Sequence, residues 1–170
     1  MNLIDFFLDQ LEREAVGTRK AMERVPEGRN DWKPHEKSMP LGYLAALVAN
    51  MPSWVAFMVN EDELDMTSPK GMEFKPQVAA TSAELRQTLE NSLATAREVL
   101  TNTTEEHLLK PWRFLAGGHV VSEEPRYVMI RDAVFSHWAH HRGQLTVYLR
   151  LNEALVPSIY GPSADEGRLG

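Results

Sequence analysis

A chain of 170 residues is one domain by length, and at that size about 70% of the surface an unfolded chain exposes can be buried. Its formal charge of −6, with basic and acidic side chains interspersed and no basic stripe, argues against nucleic acid as the main partner. The absence of cysteine excludes a disulfide framework, a thiolate metal site and a cysteine nucleophile.

The amino-terminal stretch, MNLIDFFLDQLERE, carries Asp5 and Asp9 where a secretion signal needs a basic region and an uncharged core. No apolar run approaches the ~20 residues of a membrane span, so a cytoplasmic protein with no membrane partner is the expectation. The same stretch opens the first of four amphipathic helices. Over about residues 3 to 25, Ile4, Phe7, Leu8, Leu11, Ala15 and Met22 repeat every three or four positions.

A second helix is expected from SMPLGYLAALVANMPSWVAFMV, with Ser38 as its cap, Pro40 in its first turn and a kink at Pro52. NEDELDMTSPKGMEFKPQVAA then forms a long loop without periodicity. The third helix starts at a capping box, Thr81 with Glu84, and carries Leu85, Leu89, Leu93, Ala96 and Leu100 on one face. FLAGGHVVSEEP, with paired glycines and paired valines, fits a small hairpin. The fourth helix opens at Pro125 and runs to about Leu155, and the tail after it packs back on the helices. The class expected is all-α, a four-helix bundle in a single domain over residues 1–170.

The chemistry concentrates in HWAHHRGQ, where three of the six histidines fall within five positions. Ile130, Val134, His137, His141, Gln144, Tyr148 and Leu151 follow spacings of four and three, the seam that faces a bundle core. His137 and His141 therefore point inward one turn apart. Their Cβ atoms, ~5–6 Å from each other, let both imidazoles reach one metal ion. His140 sits on the flank, as an alternative ligand or a hydrogen-bonding neighbour. The competing account is two structural histidines, each needing a buried hydrogen-bond partner. His35, His107 and His119 read as solvated surface residues. Arg142 reads as one half of an ion pair or, less commonly, a contact for an anionic ligand. Gly143, in mid-helix, reads as a close helix–helix approach.

HWAHHRGQLTVYLRLNEALVPSIYGPSADE, together with DWKPHEKSMPLGYLA and NMPSW in the same order, resembles the DinB-like (DinB/YfiT) family across nearly the whole chain. The resemblance implies a four-helix bundle, often a homodimer, holding a divalent transition metal (nickel, zinc or iron) on three histidines. Two of these match His137 and His141. The third family position, seven residues before Trp54, is Leu47 here. That departure removes a donor, and Asn50 and Tyr43 are the candidate substitutes, each a poorer ligand than imidazole.

Two functions follow from the resemblance. One is a metal-dependent, thiol-dependent transferase, its thiol supplied by a low-molecular-weight cosubstrate because the chain has no cysteine. The other is a metal-free relative that binds a small molecule or acts through a dimer surface. Helices two and four are expected to face each other in either case.

Overall fold

The computed structural model describes residues 2–72 and 75–167. Helix α1, Leu3–Met22, starts where Asn2 Oδ1 accepts the Asp5 amide at 2.8 Å, and it buries Phe7, Leu11, Ala15 and Met22. Helix α2, Leu41–Asn50, follows a loop that supplies its cap in an unexpected way. Ser38 is not the cap: the amides of Leu41 and Gly42 donate to the carbonyls of Trp32 (2.8 Å) and Asn30 (3.0 Å). At Pro52, which has no amide hydrogen, the helix tightens into the 3-10 turn Met51–Ser53 and resumes as α3, Trp54–Asn60. The stretch Leu41–Asn60 is long and apolar enough to cross a membrane, its most apolar 18-residue window having a mean hydropathy of 1.4. That corrects the expectation that no run reaches this length, and 67% of its most apolar 18-residue window is buried inside the protein.

The expected loop after α3 contains structure of its own: strand β1, Glu63–Asp65, and the single turn α4, Pro69–Met72. Helix α5, Ser82–Asn102, begins at the capping box. Thr81 Oγ1 accepts the Glu84 amide at 3.2 Å, while the Glu84 carboxylate reaches past Thr81 to the Ala80 amide at 2.7 Å. A short helix α6, Glu105–Leu109, leads into strands β2, Pro111–Ala116, and β3, His119–Pro125. These pair antiparallel as the expected hairpin, although β2 begins earlier than its FLAGG turn suggested. Gly117 and Gly118 make that turn with φ of 62° and 78°, values an L side chain rarely adopts.

Strand β1 pairs in parallel with β2, so the sheet order is β1-β2-β3. The described structure is mostly helical, 58% helix and 10% strand, so the helical class holds with a small three-stranded sheet added to it. Hydrophobic periodicity located the helices, but a three-residue strand pairing across 50 positions leaves no local pattern to read.

The last helical run is not uniform. After α7, Arg126–Met129, the backbone passes through a π-helical segment, Ile130–Ser136, and continues as α8, His137–Leu151. Each i→i+5 bond closes a loop one residue longer than an α-helical one, so the heptad count drifts in part before it reaches the histidines. The buried stripe is Ile130, Val134, Trp138, His141, Arg142, Leu145, Tyr148 and Leu149, so the expected seam holds at Ile130, Val134, His141 and Tyr148. Leu151, on the expected seam, is exposed. The helix stops short of Leu155, with Glu153 at a φ of 57°.

Helices α2 and α8 do meet: Trp138 Nε1 donates to the Val48 carbonyl at 2.8 Å. Helix α1 packs on α5 and α8, and α5 packs on α2 and α3, around one continuous core. The tail returns over α1, where Ile159 lies so close to Gly17 that an added Cβ would stand 3.2 Å from it.

Candidate functional site

The start of α8 sets three imidazoles in a row. The ring centroids of His137 and His141 are 4.4 Å apart, those of His140 and His141 5.1 Å, and those of His137 and His140 6.4 Å. His141 is buried and His137 half-buried, whereas His140 is exposed at the flank. His141 Nδ1 lies 2.8 Å from Gln144 Oε1. The amide oxygen can only accept, so Nδ1 carries the proton and Nε2 keeps its lone pair. Burial, then the neighbouring His141, pushes the His137 imidazole below its ordinary range, against a hydrogen bond to the Ala133 carbonyl. Burial likewise lowers His141, against the pull of Gln144. Both rings are thus neutral bases at pH 7.

His137 also belongs to the wall of a cavity of about 520 Å³. Leu47 and Tyr43 reach that wall from α2, Trp54 and Phe57 from α3, and Trp112 and Phe114 from β2. The 3-10 turn at Pro52 and the sheet are what bring these rings together. Phe57 and Trp112 meet edge-on at 6.4 Å, and the Trp54 ring lies 6.0 Å from His137.

The sequence-derived site residues therefore divide. His137, Leu47 and Tyr43 share the cavity, and His141 touches His137 from the next turn. Asn50 lines an adjoining depression with Ser53, Asn60 and Lys70, which shares Trp54 and Phe57 with the cavity but has no histidine in its described lining. Arg142 faces away from the cavity, buried against α1: it pairs with the Glu14 carboxylate and donates to the Glu14 carbonyl (2.8 Å), Thr18 Oγ1 (3.0 Å) and Tyr160 Oη (2.6 Å). Gly143 is exposed, with nothing within 4 Å of an added Cβ, so it marks no close approach. His107 is not simply solvated, since its Nε2 meets the Val59 carbonyl at 2.8 Å.

Sequence reasoning missed Trp112 and Lys75 of the lining. The alternation in PWRFLA, which places Trp112 inward, was the signal for the first. Nothing local marks the second.

The donor set is short for a firmly held metal. Among the described residues no three His, Cys, Asp or Glu side chains converge on one point, and Leu47 adds an apolar group where a third imidazole would complete a zinc-type site.

A mostly helical protein with a small side sheet and an apolar cavity, with one histidine of a pair at its wall, is the class that fold and site define. Solved structures place it more narrowly. The chain is similar to the DinB-like protein YjoA of Bacillus subtilis, with a TM-score of 0.66 and 18% identity over 89% of this chain and 96% of that one. It is similar also to a DinB-like protein of Bacillus cereus, with a TM-score of 0.69 and 19% identity over 91% and 95%. The chain has the DinB-like fold. No family model and no curated protein matches it.

Proposed function

We propose that this protein is a small-molecule-binding relative of the DinB-like proteins, its long helices arranged as their four-helix bundle and its ligand held in the cavity beside His137. The single observation that carries this reading is that Leu47 and His137 line one cavity of about 520 Å³. That volume suits a small organic ligand, and the leucine makes the wall apolar where a metal site needs a donor. The reading includes a homodimer, as the family resemblance implies.

A second reading is favoured by the His141–Gln144 hydrogen bond, which fixes the tautomer that leaves Nε2 free, as the outer partner of a metal ligand does. In it, His137 and His141 hold a nickel, zinc or iron ion weakly, and the ion supplies Lewis acidity to a thiol-dependent transferase.

Metal analysis of the purified protein separates the two. The first reading expects a substoichiometric metal content, a melting temperature unchanged by chelation, and saturable binding of an apolar ligand. A stoichiometric transition metal that is lost in His141→Ala would move the assignment to the second.

A further inference from the structure

Resting on the ligand-binding reading, we propose that the cavity selects a hydrophobic carboxylate: an apolar body seated among the aromatic rings, with its anionic head met by Lys75. Two observations point to this class. First, the lining is made almost wholly of aromatic, leucine and methionine side chains, which recognise an alkyl or aryl body by area alone. Second, the permanent charge in the described lining is a single cation, Lys75, and no Asp or Glu joins it. The chain as a whole carries a net −6, so a cation without an acidic neighbour in the described lining is not what composition alone would place there.

Among the described residues Lys75 has no ion-pair partner, whereas Lys70, nearby in sequence, is already paired with Glu61 at 2.6 Å. An unpaired ammonium on an otherwise apolar cavity calls for a ligand group that carries negative charge. A carboxylate on a hydrocarbon body supplies both halves.

The test uses the full chain at pH 7 with decanoate and decan-1-ol, both below the concentrations at which they aggregate. Binding is read from tryptophan fluorescence, since Trp54 and Trp112 are two of the four tryptophans and both line the cavity. The expected result is one decanoate per chain, bound about tenfold tighter than decan-1-ol. In Lys75→Met, an exposed position whose substitution leaves the core intact, the two ligands should bind alike, with the affinity for decan-1-ol unchanged. Equal affinities in the unaltered protein, or a preference that survives Lys75→Met, would overturn the carboxylate proposal while leaving the cavity as a ligand site. Failure of both ligands to saturate would overturn the ligand-binding reading itself.

Discussion

Leu47 of α2 and His137 of α8 line the same cavity, although 90 positions separate Trp138, beside His137, from Val48, beside Leu47. The Trp138 Nε1–Val48 carbonyl hydrogen bond at 2.8 Å holds the two helices in this register. A side chain at position 47 therefore projects onto the wall that carries the first imidazole. Leu47→His should supply the third donor that a tetrahedral zinc site needs, and raise zinc affinity at least about tenfold over the unaltered protein. Isothermal titration with zinc at pH 7 measures this. Equal affinity in the two proteins would mean that the new imidazole cannot reach the His137–His141 pair.

Arg142 and Glu14 form an ion pair with side chains only 2% and 8% exposed. Removing one partner leaves the other charge buried and alone. Arg142→Met should cost about 3–5 kcal/mol of folding stability by urea denaturation, and Glu14→Gln somewhat less because its amide still accepts from the guanidinium. The paired change Arg142→Met with Glu14→Leu should recover most of the loss, because neither charge then remains. Additive losses in the double variant would show that packing, not charge pairing, dominates here.

The helices were legible because each carries its own stripe: Leu85, Leu89, Leu93, Ala96 and Leu100 are all buried, as their spacing requires. The capping box at Thr81 was legible for the same local reason. The phase of the last helix was legible in part: Ile130, Val134, His141 and Tyr148 are buried as the spacing requires, whereas the π segment, which leaves no composition signal, sets His137, Gln144 and Leu151 off the core. His137 and Gln144 accordingly stand half-buried at the edge of the core, while Trp138 and Arg142 take the fully buried places. The paired imidazoles could be anticipated from i and i+4 spacing alone. The cavity that gives them a setting could not, since its walls come from α2, α3, the hairpin and Lys75, segments that only tertiary packing unites.

Trp138 is wholly buried and its indole N–H is the donor that joins α8 to α2. Trp138→Phe removes that donor, strands the Val48 carbonyl and leaves space where the larger ring was. A loss of about 2–4 kcal/mol is expected, the sum of an unpaired buried acceptor and a small cavity. Because the same contact sets the register of Leu47 against His137, decanoate affinity should fall as well. Denaturation and the fluorescence titration check the two effects separately, and a stability loss without any change in binding would show that the cavity keeps its shape without this bond.

Asp65 ties the hairpin turn to β1. Its carboxylate accepts from the Thr67 hydroxyl at 2.7 Å, the Thr67 amide at 2.9 Å, and the amides of Gly117 and Gly118 at 3.2 and 2.7 Å. The Thr67 hydroxyl, then the Thr67 and Gly118 amides, hold this carboxyl down to about 2. A carboxyl depressed in the folded state stabilises it above the unfolded value, roughly 3.9, and that contribution disappears as pH falls through the folded value. The anchoring of the turn should thus be complete at pH 5 and lost between about pH 4 and 2. The Gly117 and Gly118 amide resonances should report it, moving together with a midpoint near 2. In Asp65→Asn the same resonances should show no such titration. A midpoint near 4 in the unaltered protein would mean that the four donors do not hold the carboxylate in solution.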